Sequence, residues 1–321
     1  MRYLKHEKNL LPTPDELTLD EISLHFNTDE KAREYLETIR WPDGPVCPHC
    51  KNNDQKKIWK IQPNDKTEVR PGLYECGKCH GQFTATVGTI FEDSHIPLRK
   101  WLIAWYLISS SKKGISSLQI QRNLHLGSYR TALFMMHRIR HAMKEPNVQA
   151  KLTGVVEADE TFLGGKTKGH GRHYMGNKTP VVSLVERNGD KRSFVVKRVT
   201  GKNLKQVLHS NVDPSATVMT DDFRGYRKAA AGFKAHHSVN HSAGEYVRGD
   251  VFTNTVESSF SLFKRGVVGT FHSISEKHLP LYLAEFDHRW NLRNVTDGER
   301  TVQGLKMTEG KRLMYKAPAD R

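Results

Sequence analysis

The chain has 321 residues, 37% of them hydrophobic, with 50 Lys and Arg against 35 Asp and Glu and a net charge of +15. That length accommodates two or three domains, one with a sizeable core, and the charge excess points to a polyanionic partner, nucleic acid before membrane surface. The longest apolar run, Trp101 to Ile108, falls short of the roughly 20 residues a membrane-spanning helix needs, which argues against a membrane partner or a transmembrane protein. No apolar h-region with a small-residue cleavage site opens the sequence, and all four cysteines lie between 47 and 79, so a distributed disulfide framework is excluded and a cytoplasmic location is expected.

In chain order, Asn27-x-x-Glu30 reads as a capping box, and Ala32, Tyr35, Leu36 and Ile39 recur at helical spacing, which predicts a helix over 28–40 stopped at Trp41-Pro42-Asp43-Gly44. This closes an N-terminal helical segment, 1–44. Short β-prone pieces, 57–61 and 73–75, follow on either side of a turn-rich stretch and define a small β module over 45–90. Pro97 opens a helix to about Ser110, with Trp101 and Trp105 on an apolar face as core residues. A short helix over 116–124, a turn at Leu126-Gly127-Ser128 and a second helix over 129–143 give a helix-turn-helix outline within 95–146. Arg130, His137, Arg138, Arg140 and His141 place positive charge along the second helix, as a helix near phosphates requires, although a solvated basic face on a linking bundle fits the same residues.

Beyond Pro146 the pattern becomes α/β, over 150–295. Strands are predicted at 155–163, 180–185, 193–196 and 217–220, with another near 237–239. Helices are predicted at 204–210, from Arg224, at 253–264 and at 276–291. The segment 166–178 is Gly-rich, basic and aperiodic, a loop, and 296–321 reads as a basic tail.

Two constellations carry chemistry. Cys47-Pro48-His49-Cys50 and Cys76-Gly77-Lys78-Cys79 are two C-x-x-C pairs with 25 residues between them, the knuckles of a structural zinc site, with His49 and His80 as weaker neighbours. The second is acidic. Asp159 interrupts an apolar strand, Asp221 ends another, and Glu257 lies on a helix after 35 intervening residues, with Lys264 two helical turns further on the same face. Carboxylates converging from separate elements repel one another unless divalent cations, Mg2+ or Mn2+, neutralise them, and two such cations serve in-line displacement at phosphorus.

The D, D-x35-E order with its following Lys resembles the DDE transposases. More specifically, RWPDGPVCPHC at 40–50, YECGKCHGQFTATVGTIFEDSHIPLRKW at 74–101, VEADETFLGGK at 156–166, VMTDDFRGY at 218–226 and TNTVESSFSLFKRGVVGTFHSISEKHLPLYLAEFDHRWN at 253–291 resemble bacterial insertion-sequence transposases of the zinc-ribbon, IS1595-like group. The resemblance implies a multidomain chain: a zinc ribbon, a helix-turn-helix-like region and an α/β catalytic domain of ribonuclease-H-like fold. It implies Zn2+ on Cys47, Cys50, Cys76 and Cys79, and Mg2+ or Mn2+ on Asp159, Asp221 and a third ligand. That third ligand is Glu257 or Asn254, since members of the group often carry Asn there; Glu257 is preferred because a carboxylate neutralises a cation and an amide does not. Lys264 and Arg265 join Arg130, Arg138 and Arg140 as expected DNA contacts. The implied function is binding of double-stranded DNA at terminal inverted repeats, 3′-end cleavage and transfer to target DNA, by a homo-oligomer associated with the bacterial nucleoid. The alternatives are a regulator repurposed from a transposase and without catalysis, and a ribonuclease-H-like nuclease that cuts without joining.

Overall fold

The computed structural model describes residues 13–14, 17–62, 68–144, 150–164 and 178–314. Two compact units divide the chain. One takes 1–111, 117–143 and 295–321, and the other takes 112–116 and 144–294.

The first unit opens with two helices, α1 (Leu19–His25) and α2 (Asp29–Arg40), each capped by a threonine. Thr18 Oγ1 accepts from the Glu21 N–H at 3.2 Å, and Thr28 Oγ1 accepts from the Lys31 N–H at 3.3 Å. The cap of α2 is therefore Thr28, one residue after the Asn27 expected from sequence. A three-stranded antiparallel sheet, β1 (Ile58–Lys60), β2 (Tyr74–Cys76) and β3 (Gln82–Phe83), follows with its strands in that order. Helix α3 (Leu98–Ser110) buries Trp101, Leu102, Ala104, Trp105 and Ile108, which bears out the two tryptophans as core. Helices α4 (Ser117–Asn123) and α5 (Tyr129–Met143) are joined by a turn whose left-handed residue is His125, not Gly127. Ser128 Oγ accepts from the Thr131 N–H at 3.1 Å and so starts α5.

The second unit is built on a five-stranded sheet. In chain order it has β4 (Val155–Leu163), β5 (Thr179–Glu186), β6 (Lys191–Val195), α6 (Gly201–Asn211), β7 (Thr217–Asp221), α7 (Arg224–Ala229) and β8 (Ala235–Val239). There follow a short hairpin, β9 (Val247–Arg248) with β10 (Val251–Phe252), then α8 (Asn254–Gly266) and α9 (Leu279–Asn291). The spatial order is β6-β5-β4-β7-β8. Strands β4, β5 and β6 run antiparallel, as short connections allow, while β7 and β8 run parallel to β4, and each is reached through a helix, α6 or α7. The loop expected at 166–178 lies, except for Lys178, outside the described residues.

Alternation along β5 shows how the sequence covers both faces. Val182 and Leu184 enter a core with Leu204 and Leu208 of α6 and Tyr226 of α7. Val181 and Val185 enter another with Val256, Phe260 and Phe263 of α8 and Leu283 and Phe286 of α9. Helix α9 starts at Leu279, not near 276, because Pro280 lacks an N–H to donate and is tolerated only in a first turn.

Where only a basic tail was expected, the chain forms a helix, α10 (Asp297–Lys306), with a complete capping box between Thr296 and Glu299. It belongs to the first unit. The backbone of Gly304 lies directly on Trp105, and a Cβ there would sit 2.3 Å from the indole nitrogen, so only glycine fits. Arg300 is buried and donates to the Ser109 carbonyl at 2.9 Å. No helix of the described residues is long and apolar enough to cross a membrane.

Candidate functional site

The four cysteines converge. Their sulfur atoms all lie within 4.8 Å of one another, the only such group of His, Cys, Asp and Glu ligand atoms among the described residues. Cys47 and Cys79 are 3.7 Å apart and Cys50 and Cys76 are 3.6 Å apart, close to the ~3.8 Å edge of a tetrahedron with ~2.3 Å zinc–sulfur arms. Each knuckle closes through a left-handed residue just after its second cysteine, Lys51 at φ 59° and His80 at φ 56°. Lys51 N–H donates to the Cys47 carbonyl and His80 N–H to the Cys76 carbonyl. Burial raises the Cys76 thiol, but the backbone N–H groups of Cys79 and Lys78, with the Cys50 and Asn52 side chains, hold it down at about 6, whereas Cys79, although the Gly81 N–H lowers it, is pushed up to about 12 by burial and by the sulfurs of Cys50, Cys47 and Cys76. His49 is turned to the Gln82 carbonyl instead, and neither it nor His80 joins the group.

Helix α5 corrects part of the DNA-contact expectation. Arg130 is exposed in its first turn beside Tyr129. Arg138 and Arg140 are buried, 7% and 0% exposed, as is His137. Arg138 packs over the Trp101 ring and donates to the Glu92 carbonyl. The C-terminal half of α5 is interior, covered by residues that follow α10, where Lys311 donates to the Ala142 carbonyl. Arg138 and Arg140 are thus core cations, and Arg130 is the exposed arginine of α5.

In the second unit Asp159 and Asp221 lie on adjacent interior strands of the sheet, β4 and β7, and Glu257 on α8. β4 pairs in parallel with β7 up to Glu157 opposite Met219, and that register carried two residues on sets Asp159 level with Asp221. Glu257 stands in the first turn of α8, which packs on the same face of β4 as Asp159. Burial is the largest cause raising Asp159 to about 7; the charges of Asp221 and Glu257 add to it, against the Glu160 N–H and His241. Asp221 is raised too, first by burial and then by Asp222 and Glu257, with the Phe223 N–H and His241 opposing. The three carboxylates share one electrostatic neighbourhood, but their oxygens do not gather as tightly as the cysteine sulfurs. On the opposite face Glu160, also raised to about 7 mainly by burial, accepts from the buried Tyr226 hydroxyl at 2.9 Å, as strand alternation from Asp159 predicts.

Sequence reasoning missed three participants. His241 lies 3.5 Å from Glu257, and the Thr253 hydroxyl donates to the same Glu257 oxygen at 2.9 Å. Arg187 pairs with Glu157 at 2.8 Å. Thr253 is legible only as the first residue of the helix predicted over 253–264, and His241 and Arg187 carry no local signal. Asn254 is exposed at the first position of α8, and Lys264 and Arg265 are exposed near its end. The donors here are hard carboxylate oxygens, and for Asp159 and Asp221 ionisation is opposed by burial and by neighbouring carboxylates, a strain that a divalent cation such as magnesium relieves.

Residues 151–291 match a family described as an ISXO2-like transposase domain, and residues 27–82 match one described as a transposase zinc-ribbon domain. A protein of Halobacterium salinarum, described as an uncharacterized protein in transposable element ISH50, is 29% identical over 282 residues, 82% of this chain and 91% of its own length. An uncharacterized transposase-like protein of Haemophilus influenzae is 29% identical over 99 residues, 31% of this chain and 79% of its own.

Proposed function

The chain belongs to the zinc-ribbon, ISXO2-like family of transposases, and on that premise we propose that it binds the terminal inverted repeats of its element, cleaves the 3′ ends and joins them to target DNA. The observation that carries this reading is the arrival of Asp159 and Asp221 on two adjacent interior strands with Glu257 on the helix that packs over them, burial and neighbouring carboxylates opposing the ionisation of Asp159 and Asp221. The strand order β6-β5-β4-β7-β8, with three antiparallel strands and two parallel ones, supports a ribonuclease-H-like fold for this unit.

Asp159, Asp221 and Glu257 would hold magnesium or manganese. When bound, the metal supplies activation of the attacking hydroxyl and stabilisation of the leaving oxygen in displacement at phosphorus. The chain's own groups do the rest. Thr253 and His241 hold Glu257 in place, and Lys264, exposed two turns along α8, contacts a DNA phosphate. Arg130 and Arg265 add backbone contacts, and the ribbon presents a rigid surface to the element end. Asn254, exposed and uncharged, sits beside the site as a secondary ligand. The protein acts as a homo-oligomer on DNA.

Asp159→Asn and Asp221→Asn test the reading in cleavage and strand-transfer assays on element ends with magnesium. Each should abolish both reactions and leave end binding intact. Cleavage or joining at the native rate in either variant overturns it, and an inactive native protein with intact end binding points to a DNA-binding regulator.

A further inference from the structure

Helix α8 is capped by a residue from outside its own segment. Thr253 occupies the N-cap position but makes no side-chain cap bond. The Thr255 and Val256 N–H groups donate instead to Glu157 Oε2 at 2.8 and 3.1 Å, and the Thr255 hydroxyl donates to Glu157 Oε1 at 2.9 Å. Glu157 is fully buried on β4, two residues before Asp159 and on the same face. Its charge is met by Arg187, whose remaining nitrogens donate to the Asp250 and Phe252 carbonyls at 2.9 and 3.0 Å, with the guanidinium stacked over the Phe252 ring. One buried carboxylate therefore secures both the strand that leads into α8 and the first turn of α8.

The Thr253 side chain is released by this arrangement. A threonine before a helix ordinarily accepts from the second or third N–H of that helix. Here those donors are already taken, and the Thr253 hydroxyl, on a residue 1% exposed, donates to Glu257 Oε1.

We propose that Glu157 and Thr253 are positioning residues that act as one device: Glu157 caps α8 from the sheet so that the Thr253 hydroxyl is free to aim Glu257 at the cation site. The proposal rests on the reading of Asp159, Asp221 and Glu257 as cation ligands. Without Glu157 the N–H groups of Thr255 and Val256 lose their acceptor, and the nearest replacement is the Thr253 hydroxyl. Taking up that role withdraws it from Glu257, so removing either residue removes the same restraint.

The test is binding of Mn2+ alone to DNA-free, zinc-loaded full-length protein, followed by the electron paramagnetic resonance signal of free Mn2+. Thr253→Val keeps volume and charge and should weaken Mn2+ by ~10-fold or more, the usual cost of losing a group that orients a ligand, with an unchanged melting temperature. Thr253→Ser, which restores the hydroxyl, should bind as the native protein does. Glu157→Met, which leaves no acceptor oxygen, should weaken Mn2+ comparably, and the double variant Glu157→Met with Thr253→Val should be no weaker than the worse single. If Glu157→Met fails to fold because Arg187 is left unmatched, Thr253→Val and Thr253→Ser still decide. Native affinity in Thr253→Val, loss retained in Thr253→Ser, or multiplying losses in the double variant overturns the proposal. Asp159→Asn separates the two levels. If it leaves Mn2+ binding unchanged, or the native protein binds none, the site reading itself falls; if it abolishes binding while Thr253→Val does not weaken it, only the positioning device falls.

Discussion

Replacing Asp159 by Asn should make the magnesium-free protein more stable at neutral and alkaline pH, although the same change should remove activity. The Asp159 carboxyl is lifted to about 7, first by burial and then by Asp221 and Glu257, whereas in an unfolded chain an aspartate titrates near 3.9. A group raised on folding favours the folded state fully below its unfolded value, and that contribution is lost as pH rises through its folded value. Asparagine has no charge to bury and still offers an oxygen to the Glu160 N–H that Asp159 accepts at 2.8 Å. The variant and the native protein should therefore be equally stable near pH 4 and diverge up to pH 7. Three pH units at about 1.4 kcal/mol each give a difference of about 4 kcal/mol in favour of the variant at pH 8. Urea unfolding of both proteins from pH 4 to pH 8, in buffer stripped of divalent cations, measures this. The difference between the two curves isolates Asp159, because every histidine and the ribbon are common to both. Adding magnesium should close the gap by stabilising only the native protein. A variant no more stable at pH 8, or an advantage of the same size at pH 4, would refute the account of Asp159 as a buried charge awaiting a cation.

Purified protein should carry one zinc per chain, and Cys76→Ser should lose it and unfold the ribbon while the α/β unit stays folded, as metal analysis and circular dichroism would show; full zinc occupancy in Cys76→Ser would count against the four-sulfur site. Arg138→Ala should cost about 2 kcal/mol of stability, since it empties a packed position over Trp101. Arg130→Ala should leave stability unchanged and lower the slope of log affinity for DNA against log salt by about 0.9 for one lost phosphate contact; the reverse assignment would return Arg138 to the surface. Glu257→Gln should inactivate strand transfer at near-normal melting temperature and Asn254→Ala should reduce it only in part, with the opposite ranking moving the third ligand to Asn254.

Local pattern and long-range packing divide what the sequence reveals. β4 and α5 lie at the residues predicted for them, 155–163 and 129–143: apolar and β-branched residues on either side of the acidic stretch define one, and helical apolar spacing after a glycine turn defines the other. The cysteine site is equally legible, because its geometry is set by two short spacings. Arg138 and Arg140 mislead because the charge pattern along α5 carries no trace of the residues about 170 positions later that reach its far half. The carboxylates of the site are visible one by one, but their support is not. Glu157 finds Arg187 30 residues away and Thr255 98 residues away, and no periodicity links positions brought together by sheet order. α10 carries a readable signal in Thr296 and Glu299, masked by the basic composition of the residues that follow it.

The use of α10 to complete the first unit sets a timetable for the nascent chain. The face of α3 that presents Trp105 is made early, yet its cover, Gly304 with Arg300, lies about 200 residues downstream. At ribosomal speeds of roughly 5–20 residues per second, that indole waits roughly 10–40 s for its lid, while the whole α/β unit is synthesised in between. A chain cut short anywhere before residue 295 leaves an uncovered tryptophan and a ribbon unit without its closing helix, an exposed apolar face of the kind chaperones and proteases act on.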